Sequence, residues 1–493
     1  MNDVYCSYYT KNNNITSYMI SMINPSQNDH ILEPCGGDGM FVDALLQNHP
    51  DLKIDTCDLD ANAVNIMKSK YSSISNVSIR EADTLTDPFF DEVGQFGYYD
   101  KIIGNPPYGG WQEYDRRAEL KQKYNGFYVR ETYSLFLLRC VSLLKSGGVL
   151  SFIIPDTFLF LHNHKKLRKY LLENTLVKEI AIFPSKFFPG VSFGYSNLCI
   201  ITVQKTGFME YWYDNRITVL KGLKSDEDLL SLSMEHRPSY LSTKYLIQGD
   251  VFDNQDHAFL ISDEETNRKI VECKNTLADM ADCVTGIYCG DNKRFMALAK
   301  MNSKKSLADY PCITESEIDY SHNSNEPVNG SKKYIPIVKG SSSTSYYRTA
   351  DEWLIDWSPS ALFHYNNDKK ARFQNSQFYF RMGIALPMVK SSKVKATLLK
   401  KMVFDQSIVG IFPHDDKYLL YILAYLNSKV ANKFIHTINP TANNSANYLK
   451  KLPFYIPTND ELQKINGLVS TIIETRNIDY HQDEIDKFFE SRL

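Results

Sequence analysis

The sequence has little of what metal sites and disulfide frameworks need. Its nine cysteines are odd in number and are scattered through 493 residues. Cys283 and Cys289 have five residues between them, and no second Cys or His pair is present to complete a zinc site. We therefore expect reduced, mostly buried thiols and no bound metal.

The chain also lacks the segments that lead to export or to a membrane. Its N-terminus has Asn and Lys where a signal peptide has an apolar core, and no apolar run approaches the roughly 18 residues of a membrane span. The formal net charge is only -3, which gives no global sign of a nucleic-acid partner. We expect a globular cytoplasmic protein in which any nucleic-acid surface is a local basic face.

Internal repeats and low-complexity tracts are absent as well. Short apolar runs instead alternate with amphipathic stretches from about residue 29 to 205. This alternation predicts an α/β fold with a mostly parallel sheet covered by helices on both faces. The predicted strands are His30–Glu33, Lys53–Asp58, Val77–Glu81, Tyr99–Ile103, Gly148–Ile154, Val177–Phe183 and Leu198–Gln204, and the predicted helices include Phe41–Gln47, Ala61–Lys70 and Ser134–Leu144.

A length of 493 residues favours two or three domains. The alternation fades after residue 205, and a stretch rich in Asn, Ser, Tyr and Lys starts near residue 262. We place a first, α/β domain at 1–240 and a second domain of mixed α+β character at 241–493. The second domain is expected to end in a helical tail from residue 460.

The tetrapeptide Asn105-Pro106-Pro107-Tyr108 follows the strand predicted at Tyr99–Ile103. A rigid turn at a strand end presents an amide, a carbonyl and an aromatic ring at one point, and these groups can hold a planar amine. Taken alone, the motif is an ordinary Pro-Pro turn. The residues that end the three preceding strands give it a functional interpretation.

Those three strands all end in acidic residues. The first leads into Glu33-Pro34-Cys35-Gly36-Gly37-Asp38-Gly39-Met40-Phe41, the second ends at Asp58-Leu59-Asp60, and the third leads to Asp83-Thr84. Glycines let a ligand approach the backbone closely. An acid at the first strand end favours a ligand with cationic groups, such as S-adenosylmethionine, over the pyrophosphate of NAD. Each acid by itself is also a common helix cap, so the prediction depends on the whole set.

The order of these motifs resembles that of the amino-methylating DNA methyltransferases. It is similar to the gamma-class adenine enzymes typified by the Taq methyltransferase, in which the cofactor loop precedes the catalytic motif and a target-recognition domain follows both. The resemblance is dense over residues 8–205 and diffuse beyond. It implies a Rossmann-like domain that binds S-adenosylmethionine, double-stranded DNA as the partner, and adenine N6 as the methylated atom.

The resemblance also implies roles for single residues. Glu33 would lie near the methionine amino group of the cofactor, Asp58 near its ribose, Leu59 against its adenine and Asp83 beside the adenine amino group. Thr10 would contact the methionine moiety, although Lys11 departs from the Thr-Pro that the family usually has there. The complete predicted cofactor set is Thr10, Glu33, Pro34, Gly37, Gly39, Phe41, Asp58, Leu59, Asp83, Thr84 and Asn105.

The chemical step is predicted at the tetrapeptide. The side-chain oxygen of Asn105 and the carbonyl of Pro106 would each accept one N6 hydrogen, which favours a pyramidal nitrogen aimed at the sulfonium methyl group. The base must first be flipped out of the duplex, at a cost of about a few kcal/mol, and it would stack between Tyr108 and Phe188. Phe187 is the alternative second face, and the competing interpretation is that both phenylalanines are core residues. The predicted catalytic set is Asn105, Pro106, Pro107, Tyr108 and Phe188.

Basic and aromatic residues are concentrated in two further stretches. The segment between Gly109 and Tyr133 is either a solvated surface loop or a DNA-facing lid; its basic and aromatic residues include Trp111, Arg116, Arg117, Lys121, Lys123 and Arg130. Between residues 331 and 410, Lys and Arg outnumber Asp and Glu by thirteen to five. Residues 285–293, 336–340 and 425–429 resemble segments of the Taq-type specificity domain, whose polar side chains would read bases while Lys and Arg hold the phosphate backbone.

We therefore expect a monomeric, site-specific adenine-N6 DNA methyltransferase of a restriction-modification or related system, with any cognate restriction endonuclease on a separate chain. Cytosine-N4 enzymes are chemically close but more often have Ser at the position of Asn105. Enzymes that methylate amino groups of RNA or protein share the motif but tend to lack a large following domain. A catalytically silent DNA-binding subunit is the alternative from a different class, and the intact acids argue against it.

Overall fold

The computed structural model of the protein describes residues 12–109, 114–187, 197–207, 212–232, 238–299, 309–349, 352–441 and 443–493. The chain divides into two compact units, with the boundary between Asp263 and Glu264. Within the described ranges, no helix is both long enough and apolar enough to cross a membrane.

The first unit is an α/β unit built around one large sheet. Its helices are α1 Asn13–Ile23, α2 Met40–Asn48, α3 Ala61–Lys70, α4 Pro88–Val93, α5 Tyr114–Lys123, α6 Thr132–Leu143, α7 Lys165–Asn174, α8 Glu227–Ser231 and α9 Gln248–Asp253. Its strands are β1 His30–Glu33, β2 Lys53–Asp58, β3 Val77–Glu81, β4 Tyr99–Gly104, β5 Leu144–Pro155, β6 Thr175–Pro184, β7 Asn197–Lys205, β8 Arg216–Lys221 and β9 Ser242–Ile247.

The strands of this sheet run in the order β3-β2-β1-β4-β5-β7-β6-β8-β9. The first five strands pair in parallel, while β7 is antiparallel to both β5 and β6. Strand β1 lies between β2 and β4, so the chain moves outward in both directions from it. In open α/β sheets, ligands bind outside the carboxyl ends of the strands at such a switch point.

The α/β fold with a mostly parallel sheet is confirmed. The strands predicted at His30–Glu33, Lys53–Asp58 and Val77–Glu81 have the same bounds in the structure, and the other four lie inside longer strands. Strand β1 is buried along its whole length, as is typical of a central strand covered on both faces. Strands β5 and β6 begin earlier than predicted because Leu144 pairs with Tyr99 and Thr175 pairs with Lys205.

The first unit extends past the domain boundary expected at residue 240. Strands β8 and β9 pair with each other and join the large sheet through β6, so the segment after residue 205 adds two edge strands to it. The buried side chain of Gln248 fastens this addition, because its Nε2 donates to the carbonyls of Leu172 (2.8 Å) and Thr175 (2.7 Å) and its Oε1 accepts from the amide of Val177 (3.0 Å). Sequence periodicity does not reveal such a long-range anchor.

The second unit has mixed α+β character. Its helices are α10 Glu264–Glu272, α11 Leu277–Met280, α12 Asn292–Phe295, α13 Pro359–Asn367, α14 Leu419–Asn427, α15 Lys429–Ile438, α16 Ala446–Leu449, α17 Asn459–Thr475 and α18 Asp479–Arg492. Its strands are β10 Ala281–Thr285, β11 Met296–Leu298, β12 Tyr334–Val338, β13 Trp353–Asp356, β14 Gly383–Pro387, β15 Thr397–Leu399, β16 Val403–Phe404 and β17 Ile408–Pro413.

These strands form two four-stranded sheets, in the orders β10-β17-β14-β15 and β11-β13-β12-β16. The expected helical tail forms the two helices α17 and α18. Thr458 and Glu461 close a reciprocal capping box at the start of α17, and the buried residues Ile465, Val469 and Ile472 lie at the helical spacing of an apolar face.

A fully buried arginine ties two connections of the first unit together. Arg168 on α7 is 0% exposed and donates to the carbonyls of Phe158 (2.6 Å) and Leu161 (2.8 Å), which follow β5. It also donates to the carbonyls of Asp256 (2.8 Å) and His257 (3.0 Å), which follow α9. Since buried carbonyls need donors, the guanidinium makes both turns possible.

We expect Arg168→Met to lower the free energy of unfolding by about 3 kcal/mol or more, because each buried acceptor left without a donor costs about 1–3 kcal/mol. Lys169→Met is the matched control on the same helix. Lys169 forms a surface ion pair with Glu173 (3.8 Å), so its loss should change stability by less than about 1 kcal/mol. Urea denaturation of both variants measures the difference, and equal effects would contradict the structural role of Arg168.

Candidate active site

The sheet gathers the residues that end its first four strands along one edge. Strands β3, β2, β1 and β4 are neighbours in this order and run in parallel, so their carboxyl ends meet. Glu33 and Asp58 are the last residues of β1 and β2, and Asp83 follows the end of β3. Asn105 directly follows β4. These residues are 22 or more positions apart in sequence, and their proximity at one edge is decided by strand pairing.

The loop after β1 is built so that its backbone approaches the neighbouring strand ends. The amide of Gly36 donates to the carbonyl of Cys57 (2.8 Å), and the amide of Gly37 donates to the Oδ2 atom of Asp58 (2.8 Å). Gly39 has a φ of 85°, and a Cβ atom there would lie 2.3 Å from the hydroxyl oxygen of Tyr71. Only glycine fits this left-handed, closely packed position.

Glu33 is a carboxyl group held away from water. It is 2% exposed, and its Oε2 atom accepts a hydrogen bond from the hydroxyl of Thr56 (3.3 Å). Burial raises the pKa of Glu33 well above its ordinary value, and the nearby charge of Asp58 adds to this effect. A buried carboxyl of this kind gains from a cationic partner, which compensates the charged form.

Asp58 and Leu59 form a polar and an apolar surface side by side. The carboxylate of Asp58 accepts from the amides of Gly37 (2.8 Å) and Asp60 (2.9 Å). Burial raises the pKa of Asp58, and those backbone hydrogen bonds oppose the rise. The apolar side chain of Leu59 is 39% exposed, which leaves a surface on which a flat ring can pack.

Asp83 already has a cationic partner, which the sequence did not reveal. Its Oδ2 atom lies 2.7 Å from Nη1 of Arg116 on α5, and its Oδ1 atom accepts from the amide of Leu85 (3.0 Å). The segment predicted as either a surface loop or a lid therefore contains a helix that reaches the acid after β3. No local pattern indicates this contact, because the two residues are far apart in sequence and belong to separate elements.

Several residues predicted at the cofactor site support its backbone. The buried hydroxyl of Thr84 donates to the carbonyl of Pro34 (2.6 Å) and so holds the loop after β1 against the loop after β3. Phe41 on α2 is 3% exposed and packs in the hydrophobic core of the first unit. Thr10 was also predicted at this site and lies outside the described residues.

The Asn105–Tyr108 tetrapeptide forms an irregular turn beyond β4, which we call the catalytic turn after the role that the sequence predicts for it. Asn105 and Pro107 are half-buried, Pro106 is buried, and Tyr108 is only 1% exposed. The hydroxyl of Thr132 on α6 donates to the carbonyl of Pro107 (2.7 Å) and holds the turn from behind. A polar residue that contacts backbone alone leaves no sequence signature, so Thr132 was not predicted.

The second aromatic face predicted for a flipped base is the ring of Phe188, which lies outside the described residues. Trp111 of the predicted loop or lid also lies outside them. Phe187, the alternative face, is buried, and its ring stacks on that of Phe183 with a centroid separation of 5.5 Å. The ring of Phe187 therefore belongs to the core of the first unit.

Comparisons with known proteins agree with this geometry. Residues 40–188 match the family described as Eco57I restriction-modification methylase. The chain is similar to the type II methyltransferase M.HindII of Haemophilus influenzae, with 24% identity over 477 residues that cover 84% of this chain and 82% of the relative. It is also similar to the adenine-specific methyltransferase BrxX of Escherichia coli, with 24% identity over 78% of this chain and 30% of the relative.

A solved structure shows the same fold. A nuclease-deletion mutant of the Type ISP restriction-modification enzyme LlaGI, in complex with a DNA substrate mimic, superposes with a TM-score of 0.59 and 11% identity over 95% of this chain. The present chain spans 54% of that protein. Over residues 40–188 the chain is thus similar to restriction-modification methylases, and it shares its fold with LlaGI.

The similarity to a methylase family implies S-adenosylmethionine as the methyl donor. The residues at the sheet edge fit its chemistry. Glu33 and Asp58 are acids suited to a ligand that carries a sulfonium and an ammonium, and glycines in the adjacent loop leave the backbone accessible to a ligand. Leu59 offers an exposed apolar surface next to them.

We expect Gly39→Ala to destabilise the first unit by about 2 kcal/mol or more. The substitution imposes a left-handed alanine, which costs about 1–2 kcal/mol, and also places its Cβ against Tyr71. Gly147→Ala is the matched control, because Gly147 has a φ of 79° and nothing lies within 4 Å of its added Cβ. Denaturant unfolding should show the larger loss for Gly39→Ala, and equal losses would show that the contact with Tyr71 is unimportant.

Proposed function

We propose that the chain is a site-specific DNA methyltransferase that transfers the methyl group of S-adenosylmethionine to N6 of an adenine flipped out of double-stranded DNA. The observation that carries the proposal is the position of the catalytic turn. It ends the strand that pairs directly with β1, and β1 ends at the buried Glu33. Two hydrogen-bond acceptors for an amine thus lie one strand away from the acid that suits a cationic cofactor. The motif order that resembles the Taq methyltransferase and the adenine-specific name of BrxX support adenine as the target.

The cofactor roles follow from the chemistry of each side chain. Glu33 binds the ammonium of the methionine moiety, Asp58 accepts from the ribose hydroxyls, and Leu59 packs on the adenine ring. Asp83 accepts from the adenine amino group, which must share the carboxylate with Arg116 or displace it. When bound, the cofactor supplies an electrophilic methyl group.

The catalytic turn makes the target amine nucleophilic. Adenine N6 is a poor nucleophile because its lone pair is delocalised into the ring. The side-chain oxygen of Asn105 and the carbonyl of Pro106 each accept one N6 hydrogen, which localises the lone pair on a pyramidal nitrogen. Asn suits this role better than Asp, because a carboxylate in the same place would be costly to desolvate. The methylated amine then loses its proton easily to water.

Stacking holds the flipped base in place. Tyr108 provides one face and Phe188 the other, and each contributes about 1–3 kcal/mol. Tyr108 is 1% exposed, so the base reaches its ring only after the side chains that cover it move. Such a rearrangement on binding is common for sites that close around a substrate.

The second unit is proposed to recognise the target sequence, as LlaGI was solved with a DNA substrate mimic and shares the fold over both units. Several of its basic residues are committed to local acids; the pairs are Lys332 with Asp319, Lys333 with Asp356 and Lys339 with Asp405. A pocket of about 400 Å³ is lined by the basic residues Lys293, Arg294 and Lys370 together with Asp291 and Asp368. Lys293 also pairs with Asp309 (3.4 Å), so phosphate would compete with that acid for it.

We place the enzyme in a restriction-modification or related defence system of a prokaryotic cytoplasm, where it acts as a monomer. The names of M.HindII and of the matching family support the system.

Long-read sequencing of DNA from a methylation-null host that expresses the chain tests the proposal. One sequence motif carrying N6-methyladenine is the expected result. N4-methylcytosine would agree with the proposed mechanism but would show that the target base is cytosine. No DNA mark, with the purified protein still binding S-adenosylmethionine, would point to RNA or protein as the substrate or to a missing partner, whereas failure to bind the cofactor would support a silent DNA-binding subunit.

We expect Asn105→Ala to lower the rate of methyl transfer by about a hundredfold or more, because it removes one of two acceptors that localise the N6 lone pair. Cofactor binding should remain largely intact. Single-turnover assays and calorimetry measure the two quantities, with Asn48→Ala on the exposed end of α2 as the control. Retained activity in Asn105→Ala would exclude the proposed role of the turn.

We expect Glu33→Gln to stabilise the cofactor-free protein at pH 8 while weakening S-adenosylmethionine binding at least about tenfold. Because the pKa of Glu33 is raised, the folded protein retains a proton that the unfolded chain releases above the ordinary carboxyl pKa. Wild-type stability should therefore fall relative to Glu33→Gln by about 1.4 kcal/mol per pH unit until the raised pKa is passed.

Denaturation at several pH values gives this difference, and calorimetry in buffers of different ionisation enthalpy should detect a proton released when the wild type binds the cofactor. Unchanged cofactor affinity in Glu33→Gln would remove Glu33 from the ligand site.

A further inference from the structure

The catalytic turn rests directly on the segment that begins α6. Gly109, which follows the turn, has a φ of 88°, and a Cβ there would lie 2.7 Å from the amide nitrogen of Thr132 and 3.0 Å from Cα of Glu131. The hydroxyl of Thr132 also donates to the carbonyl of Pro107 (2.7 Å). The position of the turn therefore follows the position of the backbone at Glu131 and Thr132.

Glu131 is the residue at the N-cap position of α6, where glutamate is uncommon. Ser, Thr, Asp and Asn are preferred there, and the side chain of Glu131 makes no capping hydrogen bond. The carboxylate instead lies 2.6 Å from Nε2 of His164, with side-chain exposures of 16% for Glu131 and 1% for His164. Departure from a local preference together with a short, buried polar contact indicates that the residue was selected for that contact.

The pair is part of a network that joins three elements around the turn. The hydroxyl of Tyr133, a residue that is 0% exposed, lies 3.3 Å from the carboxylate of Glu131 and 3.2 Å from Nε2 of His164. The same hydroxyl lies 3.0 Å from Oγ1 of Thr157, in the short turn after β5. His164 immediately precedes α7. The network thus fixes the start of α6 to the end of the strand beside β4 and to the start of α7.

The geometry also fixes the orientation of the imidazole. Nε2 of His164 faces an acceptor, so it carries the hydrogen, while Nδ1 is buried and has no hydrogen-bond partner among the described residues. A 180° flip of the ring would exchange Nε2 with Cε1 and so place a carbon atom against the carboxylate. The ring therefore has one favourable arrangement, which makes it a stiff support for Glu131.

We propose that Glu131 and His164 are positioning residues for the catalytic turn. Neither is assigned a contact with substrate. Their pairing holds the N-terminal end of α6, against which Gly109 and the carbonyl of Pro107 are packed, and so sets where Asn105 and Pro106 present their acceptors. The inference rests on the proposed function. A displacement of about 1 Å at the reacting groups slows a reaction by about a hundredfold, so a shifted turn would lower the rate of methyl transfer.

Methyl-transfer kinetics distinguish this role from general structural support. We expect Glu131→Ala and His164→Ala to lower kcat about 10- to 100-fold, while the dissociation constant of S-adenosylmethionine and the KM for DNA change less than about threefold. Glu131→Gln, which keeps an acceptor at the same place, should retain kcat within about threefold of the wild type. A Glu131→Gln variant as slow as Glu131→Ala would overturn the positioning role in favour of a role for the charge.

The control variant is Thr202→Val. It removes a buried hydroxyl that lies 3.2 Å from Ser151 inside the same sheet, in a place that does not touch the turn. Even if Thr202→Val lowers the thermal stability as much as His164→Ala does, its kcat should equal that of the wild type. A matching fall of kcat in the control would show that any buried polar loss slows the enzyme and would contradict the proposal.

Hydrogen exchange gives a readout that needs no substrate. In the cofactor-free protein, amides of residues 104–109 and 131–133 should exchange at least about tenfold faster in His164→Ala than in the wild type, whereas amides of the loop at 33–39 should be unchanged. Unchanged exchange at the turn would overturn the inference even if the enzyme methylates DNA. Faster exchange at the turn in a chain that proves unable to methylate DNA would support the contact while the proposed function fails.

Discussion

The parallel pairing of β1 with β2 on one side and β4 on the other is the constraint on which the rest of the first unit depends. It reverses the direction in which the chain moves across the sheet and opens a crevice at the carboxyl ends of the strands. Glu33, Asp58 and Asn105 reach the crevice only because each ends or follows one of these strands. A shift of register by one residue would turn their side chains to the opposite face of the sheet.

The crevice is assembled at a cost to stability. Burial raises the pKa of both Glu33 and Asp58, so the cofactor-free protein holds carboxyl groups that would be more stable in water. Backbone amides at Gly37 and Asp60 offset part of this cost at Asp58, and the hydroxyl of Thr56 does the same at Glu33. Sites prepared for a charged ligand commonly carry such strain, which binding relieves.

Hydrogen bonds between polar groups hold the backbone of the candidate site in place, whereas the bulk of the core is apolar. Thr84 fastens the loop after β1, Thr132 fastens the catalytic turn, and Glu131 with His164 fixes the segment on which that turn rests. Directional hydrogen bonds hold backbone segments at defined distances, which apolar packing alone does not do. Arg168 on α7 acts in the same way, because its guanidinium holds the connections that follow β5 and α9.

The sequence by itself determined the strands, their acidic ends and the rigid Asn105–Tyr108 turn, because the period of apolar residues, glycine and proline act over a few neighbouring positions. Strands β1, β2 and β3 were bounded correctly for that reason. The roles of single site residues stay predictions. Tertiary structure decided that β8 and β9 extend the same sheet, that Arg116 pairs with Asp83, that Glu131 turns away from its helix to meet His164, and that Tyr108 is buried. Each of these joins residues far apart in the chain or depends on what covers a side chain. Only the folded packing fixes such long-range contacts, since no local pattern encodes them.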